Sequence, residues 1–313
     1  KEKNLMRYIT LGQDDKELSE IVLGMMRIED KSVKEVEELV ETALSVGINA
    51  FDLADIYGRG RCEELLGLVL KNRPDLREKM WIQSKCGIRI EEFTYFDFSK
   101  DYIIKSVDGI LQRLKIDHLD SLLLHRPDAL MESDQVAEAF DLLYKQGKVR
   151  NFGVSNQNPM MMELLKKDVK QPLAVNQLQL SAAFTPGFES GFHVNMEDSQ
   201  AAMRDGSIFE YCKLHDVVIQ AWSVLQFGYF KGNFVGNEKF QALNQVLDRL
   251  AFKYGVTPST IAISWILRYP AKMQAVVGTT NPKHLREVSQ AANFSLTRKE
   301  WYEIYLAAGN NLP

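Results

Sequence analysis

Several polar or reactive side chains stand at the ends of short apolar segments of this sequence. Asp52 and Tyr57 belong to the end of AFDLA and the residues after it, Lys85 closes WIQSK, and His125 closes SLLLH. A lysine beside a tyrosine favours the phenolate and lowers the phenol pKa from its usual value near ~10. Such a phenol can donate a proton to a carbonyl oxygen. The group predicts acid catalysis by Tyr57, with Lys85, Asp52 and His125 assisting.

These residues can meet only if the segments that carry them are parallel strands whose ends lie together. Short β-branched apolar segments alternate with longer amphipathic ones along the chain, which is typical of repeated βα units. Eight strands are predicted, over residues 20–25, 50–54, 81–85, 121–125, 151–155, 174–178, 217–222 and 275–279. Barrel enzymes build their sites at the C-terminal ends of such strands, where the reactive residues fall.

Amphipathic helices are predicted between the strands. The segment VKEVEELVETALSVG carries its apolar residues on one face, and Gly47 ends it. Thr257 and Pro258 are suited to begin another helix as cap and first residue. Further helices are predicted over roughly 63–71, 101–114, 134–146, 159–167, 200–214, 238–254, 258–269 and 283–292.

A doubly wound open sheet is the competing architecture. It would carry a G-x-G-x-x-G fingerprint after the first strand, and none follows Gly24. Eight units without that fingerprint favour a closed (β/α)₈ TIM barrel of the α/β class. Such barrels form one domain even beyond ~250 residues, so we expect a single domain over 1–313.

Composition narrows the class of partner. The formal net charge of −4 gives no electrostatic reason to expect nucleic acid or an anionic membrane surface. Cys62, Cys86 and Cys212 form no C-x-x-C pair, which favours free thiols in a reducing compartment over a metal site. No signal peptide or membrane span is evident. We expect a cytoplasmic monomer or weak oligomer that acts on a small molecule.

Two long connections, residues 86–100 and 179–200, leave the C-terminal ends of strands. Loops of this length are usually functional. Their aromatic side chains either form an apolar substrate pocket or stabilise the loops themselves. These side chains are Phe93, Tyr95, Phe96, Phe184, Phe188 and Phe192.

Seven segments, taken in order, resemble the successive signature blocks of the aldo-keto reductases. They are FDLADIYGRGRCEELLG, WIQSK, DSLLLHRPD, VRNFGVSN, AVNQLQ, AWSVL and VVGTTNPKHLREV. The resemblance spans nearly the whole chain. It implies a (β/α)₈ barrel that transfers hydride from a nicotinamide cofactor, usually NADPH, to an aldehyde or ketone. It also places Asp52, Tyr57, Lys85 and His125 at the positions of the family's catalytic tetrad.

The resemblance further implies a cofactor site. Ser155, Asn156 and Gln177 would hydrogen-bond the nicotinamide carboxamide, and Trp222 would stack on the ring. The other implied contacts are Gly24, Met25, Asp52, Ser223, Val224 and Leu225 around the ring and pyrophosphate, and Gly278, Thr279, Thr280, His284 and Glu287 around the adenosine phosphate, beside a helix N-terminus suited to anions. Many members have Lys and Arg where this chain has Gly278 and His284. We therefore expect NADP(H), with NAD(H) as the alternative.

Two other functions are compatible with these residues. The same family includes cofactor-binding, redox-sensing auxiliary subunits of potassium channels, and such proteins can retain the tetrad. The lack of a long N-terminal arm in this sequence favours an enzyme. A metal-dependent hydrolase or isomerase, with Asp52 and His125 as ligands, would need more histidine and carboxylate residues at the strand ends.

Overall fold

The computed structural model describes residues 6–12, 15–92, 94–194, 196, 199–202 and 206–310. Within these ranges eight parallel strands form a closed barrel, in which each strand pairs with the next along the chain and the last pairs with the first. The strands are β1 (Ile21–Gly24), β2 (Ala50–Asp52), β3 (Trp81–Cys86), β4 (Leu119–Leu124), β5 (Val149–Ser155), β6 (Leu173–Gln179), β7 (Val218–Trp222) and β8 (Met273–Val277). The predicted (β/α)₈ TIM barrel is confirmed.

Helices surround the barrel, so the strands are buried on both faces, as is usual for parallel strands. The α-helices of the described ranges are α1 (Val33–Ser45), α2 (Arg61–Asn72), α3 (Lys100–Leu114), α4 (Ser133–Lys145), α5 (Pro159–Lys166), α6 (Pro186–Phe192), α7 (Ile208–Leu214), α8 (Gln241–Tyr254), α9 (Pro258–Leu267), α10 (Pro282–Ser289) and α11 (Arg298–Ala307). Short 3₁₀ turns occupy Tyr57–Gly60, Pro74–Lys79, Ser199–Ala201, Glu238–Phe240 and Gln290–Asn293.

Local sequence explains where the helices begin and end. The Ser32 hydroxyl accepts the backbone N–H of Glu35, whose carboxylate accepts the N–H of Ser32, and this capping box starts α1. Gly47 follows the end of α1 with a φ of 87°, which glycine adopts without strain. The Thr257 side chain caps α9, whose first residue is Pro258. The signals used for these two predicted helices are therefore confirmed.

An N-terminal hairpin closes one end of the barrel. Its strands, Tyr8–Thr10 and Glu17–Ser19, pair antiparallel. Leu11 and Leu18 are fully buried in a cluster that includes Trp81, the first residue of β3. Because this hairpin covers the N-terminal ends of the strands, the C-terminal ends are left for a site.

Many predicted limits differ from the structure by one to three residues, and two elements differ in a way that affects their position. The last strand, predicted over 275–279, is Met273–Val277, since Val277 pairs with Leu23 near the end of β1 and the residues beyond have no partner strand. For the helix predicted over 200–214, α7 begins only at Ile208, and residues 200–202 and 206–207 are not α-helical, so the prediction is wrong there. Residues 203–205 lie outside the described residues.

Both long connections contain regular structure. Residues Ile88–Ile90 and Thr94–Phe96 form a small antiparallel hairpin after β3. In the second connection, α6 places Phe188 on the rings of Trp265 and Trp301, at centroid distances of 5.9 and 5.7 Å. Phe188 is therefore part of the aromatic core between helices, which favours loop stabilisation over a substrate pocket for this residue. Phe93 lies outside the described residues.

Two negative findings concern the described ranges. None of their helices combines the length and the apolar character needed to cross a membrane. Cys62, Cys86 and Cys212 are buried and unpaired.

Candidate active site

The C-terminal ends of the strands open into a cleft of about 920 Å³. Most of the residues predicted from the sequence line it, although they come from seven different strands or the loops after them. They are Gly24, Asp52, Tyr57, His125, Ser155, Asn156, Gln177, Trp222, Ser223, Val224, Leu225, Gly278, Thr279 and His284.

Lys85 lies beneath the cleft and is hydrogen-bonded to two residues that line it, Asp52 and Tyr57. Its ammonium Nζ donates to Asp52 Oδ2 at 2.7 Å and to the Tyr57 hydroxyl at 3.1 Å. The carbonyl oxygen of Leu53 accepts its third proton at 2.7 Å. Lys85 is fully buried, and all three of its donor positions are satisfied.

A tight 3₁₀ turn, Tyr57–Gly60, holds the tyrosine over Lys85. Gly58 and Arg59 both have left-handed backbone conformations, with φ of 54° and 53°. Glycine adopts this region freely, whereas Arg59 does so at a cost. The sequence YGRG therefore turns the chain sharply just after β2 and brings the phenol back over the strand ends.

The charge states of Lys85 and Tyr57 follow from their burial and from each other. Burial favours the neutral amine, but the carboxylate of Asp52 and the oxygen of Tyr57 together raise the pKa of Lys85. Burial also raises the pKa of Tyr57, and it outweighs the opposing charge of Lys85. The expected net lowering of the Tyr57 pKa is therefore wrong: the phenol keeps its proton at neutral pH.

His125 is a neutral imidazole at the side of the phenol. Its ring lies edge-on to Tyr57, with the centroids 5.8 Å apart. Burial, followed by the charges of Lys85 and Arg126, lowers the pKa of His125 well below its usual value. Its Nδ1 is buried without a partner in the described part of the chain.

Three hydrogen-bonded glutamines adjoin Asp52, and the sequence reasoning missed two of them. Gln83 Nε2 and Gln177 Nε2 donate to Asp52 Oδ1 at 2.7 and 3.1 Å, and both also donate to Gln220 Oε1. Gln177 had been predicted, whereas Gln83 and Gln220 had not. Their signal in the sequence is an amide inside the otherwise apolar strands WIQSK and VVIQAW, because a buried amide needs partners.

The predicted carboxamide-binding residues form a connected group. The Ser155 hydroxyl donates to the Gln177 carbonyl oxygen at 2.9 Å, and Asn156 Nδ2 donates to Ser155 Oγ at 2.9 Å. Trp222 Nε1 donates to Asn156 Oδ1 at 3.3 Å. Asn156 has a left-handed φ of 56°, a strained conformation of the kind that clusters at functional sites.

Three predicted contact residues do not line the cleft: Met25, Thr280 and Glu287. The Met25 side chain is fully buried in the core, and Met26 lines the cleft instead. The start of α10 is also partly occupied. Asn281 Oδ1 accepts the backbone N–H groups of Lys283 and His284, so these two amides are not free for an anion as the sequence had suggested.

Arg126 is a cleft residue that the sequence reasoning overlooked. Its guanidinium carbon lies 5.5 Å from the ring centroid of Trp222 and 5.6 Å from that of Tyr229. Across the described ranges it makes no ion pair and no hydrogen bond. Its position directly after His125 was a usable signal, because it places a cation at the same strand end. Met26, Arg27, Tyr229 and Phe230 also line the cleft.

The metal-dependent alternative would use Asp52 and His125 as ligands. Among the residues that the structure describes, no group of three or more His, Cys, Asp and Glu side chains is arranged to hold a metal ion. Asp52 is instead engaged by Lys85 and two amides.

Comparison with known proteins agrees with this geometry. Residues 20–306 match the sequence profile of the Aldo/keto reductase family. The chain is 34% identical to the oxidoreductase YdhF of Escherichia coli, covering 99% of this chain and 100% of that protein, and 34% identical to a 6-dehydroglucose reductase of Agrobacterium fabrum, covering 97% and 98%.

Solved structures share this fold. A Klebsiella pneumoniae aldo-keto reductase crystallised in complex with NADPH superposes with a TM-score of 0.75 at 20% identity, covering 96% of this chain and 94% of that one. At this identity the likeness shows a shared fold. The sequence matches identify the protein by family: the chain is an oxidoreductase that belongs to the aldo/keto reductase family.

Proposed function

We propose that this protein reduces an aldehyde or ketone to the alcohol, reversibly, with NADPH as the hydride donor. The observation that carries the proposal is the hydrogen bond from the buried Lys85 Nζ to the Tyr57 hydroxyl, with Asp52 also bonded to the ammonium. The names of the relatives support it, since one is a 6-dehydroglucose reductase and one fold neighbour was crystallised with NADPH.

The cleft contains groups that fit a nicotinamide cofactor. Gln177 lines it with an amide whose nitrogen is already engaged, so its carbonyl oxygen is available to an N–H donor. Ser155, Asn156 and Gln177 would hold the carboxamide, and the flat ring of Trp222 would support the nicotinamide. NADPH, when bound, supplies the hydride.

The residues of the chain would supply the proton and the charge. Tyr57, kept protonated by its burial, donates its proton to the carbonyl oxygen as negative charge develops there. Lys85, kept charged by Asp52, stabilises the resulting phenolate. His125 is neutral, and with Nδ1 buried it offers Nε2 to the carbonyl oxygen as a hydrogen-bond donor.

The test compares wild-type protein with Tyr57→Phe and with a matched control, Tyr229→Phe, which removes a hydroxyl from the same cleft. Oxidation of NADPH is followed with an activated aromatic aldehyde, and cofactor binding is followed by quenching of tryptophan fluorescence. We expect Tyr57→Phe to lose about 100-fold or more in kcat, the usual contribution of a general acid. Tyr229→Phe should retain turnover, and all three proteins should bind NADPH.

Other outcomes would point elsewhere. Binding of NADPH without turnover by the wild type would favour the redox-sensing, cofactor-binding role. Turnover by Tyr57→Phe at the wild-type rate would refute Tyr57 as the acid.

A further inference from the structure

Four glutamine side chains cross the barrel interior below the cleft, and we call Gln83, Gln177, Gln220 and Gln274 the amide ladder. Strand register aligns Gln177 with Gln220 and Gln220 with Gln274. Each of the four is at most 4% exposed. Buried amides are expected to be hydrogen-bonded. Gln83, Gln177 and Gln220 each donate to another member of the ladder, and Gln274 donates to a backbone carbonyl.

At one end of the ladder, the orientation of the Gln83 amide is set through Ser121 by the indole N–H of Trp81, which can only donate. Trp81 Nε1 donates to Ser121 Oγ at 3.1 Å, so the Ser121 hydroxyl proton is free to point to Gln83 Oε1, also 3.1 Å away. Gln83 must then present its nitrogen on the other side. That nitrogen donates to Asp52 Oδ1 and to Gln220 Oε1, each at 2.7 Å.

At the other end, the orientation of the Gln274 amide is set by the backbone carbonyl of Ser19, which can only accept. Gln274 Nε2 donates to the backbone carbonyl of Ser19 at 2.9 Å. Gln274 Oε1 therefore faces Gln220, whose Nε2 donates to it at 2.8 Å. The hydrogen bonds at both ends of the ladder therefore require Gln220 Oε1 to face Gln83 and Gln177.

The direction of Gln177 follows from these neighbours. Its two amide hydrogens are used by Asp52 Oδ1 and Gln220 Oε1, both at 3.1 Å. A reversed amide would bring its oxygen against these two acceptor oxygens. Gln177 Oε1 makes no hydrogen bond within the described ranges, and Gln177 lines the cleft.

We propose that Gln220 is a positioning residue for the cofactor. It acts through Gln177 by holding Oε1 towards the cleft, where this oxygen accepts the N–H of the nicotinamide carboxamide. The inference rests on the proposed function. Without the acceptor of Gln220, Asp52 alone would restrain Gln177, and the amide would lose one of the two contacts that set its direction.

The test uses Gln220→Met and a matched control, Gln274→Met, which makes the same change in the same ladder. In Gln274→Met, Gln83 still sets the direction of Gln220, because it donates to Gln220 Oε1 at 2.7 Å and accepts from Gln220 Nε2 at 3.2 Å. Within the described ranges Gln274 has no hydrogen bond to Gln177 or Asp52. The probes are NADPH and its 3-acetylpyridine analogue, in which a methyl group replaces the carboxamide NH₂. Dissociation constants are measured by quenching of tryptophan fluorescence.

We expect Gln220→Met to weaken NADPH binding about 3- to 10-fold, the range that one hydrogen bond represents. Binding of the analogue should change less than about twofold, because the analogue lacks the N–H donor that Gln177 would accept. Gln274→Met should bind both nucleotides like the wild type. If Gln220→Met does not fold by circular dichroism, Gln220→Asn withdraws the acceptor by one methylene and should show the same selective loss.

Two results would overturn the inference. One is an equal loss of affinity for both nucleotides, which would indicate general damage to the barrel. The other is wild-type affinity for NADPH in a folded Gln220 variant. If the wild-type protein bound neither nucleotide, the proposed function itself would fail, and this outcome is distinct from the other two.

Discussion

Replacing Asp52 with asparagine should lower the free energy of unfolding by about 3–5 kcal/mol at pH 7, the usual cost of removing one partner of a buried ion pair. Lys85 is fully buried and Asp52 is 2% exposed, so water cannot replace the lost charge. Asparagine also has the wrong hydrogen-bonding groups. Asp52 accepts at one oxygen from Lys85 and at the other from Gln83 and Gln177. Asparagine has one oxygen, so its NH₂ group would face a donor.

The size of this effect should depend on pH. In the wild type the pKa of Lys85 is raised, so the stability that its charge contributes is fully present below the unfolded lysine pKa of about 10.4 and is lost only above it. Between pH 7 and pH 9 that contribution is constant. In Asp52→Asn, burial without a carboxylate should depress the pKa of Lys85. The unfolded variant then binds more protons than the folded one, so its stability rises with pH.

Urea denaturation at pH 7, 8 and 9 measures both effects. The gap in stability between wild type and Asp52→Asn should narrow as the pH rises. The control is Asp216→Asn, because Asp216 pairs with Lys272 at the surface with 73% of its side chain exposed. Exposed pairs contribute about 0–1 kcal/mol. A loss below about 1 kcal/mol in Asp52→Asn at pH 7, or a gap independent of pH, would refute this account of the Lys85 environment.

Three further changes test other parts of the structure. Phe188→Ala should lower the free energy of unfolding, measured in urea, by about 3–5 kcal/mol, as for a buried core aromatic. The KM for the carbonyl substrate should stay unchanged. A raised KM at wild-type stability would place Phe188 in the substrate pocket instead. Arg126→Met should lower kcat/KM about tenfold or more for 4-oxobutanoate but not for butanal, because the guanidinium, which has no ion pair among the described residues, is suited to a carboxylate. Equal losses for the two substrates would contradict this. His284→Arg should strengthen the binding of NADPH relative to that of NADH in fluorescence titrations, since His284 lines the cleft and an added cation there would bind the 2′-phosphate of NADPH. An unchanged ratio of the two dissociation constants would show that His284 is not at the phosphate site.

Much of the site was predictable because it depends on strand ends. The alternation of apolar strands and amphipathic helices indicated eight parallel strands, and the C-terminal ends of parallel strands meet on one face of a barrel. Asp52 ends its strand, Lys85 is the last residue but one of its strand, and His125 follows its strand directly, so the closed barrel brings them together. The predicted limits of β8 were displaced by two residues, since only its hydrogen-bonded pairing with β1 decides where the strand ends.

The sequence by itself determined the barrel, the strand ends and the reactive group upon them, because these follow from the period and order of residues along the chain. The tertiary structure alone decided that Met26 rather than Met25 faces the cleft, that Phe188 packs in the core, and that burial keeps the Tyr57 phenol protonated. It also decided the amide ladder: Gln83 and Gln220 are hydrogen-bonded although 137 residues separate them. Side-chain direction and depth depend on neighbours brought together by folding, and no local pattern encodes them.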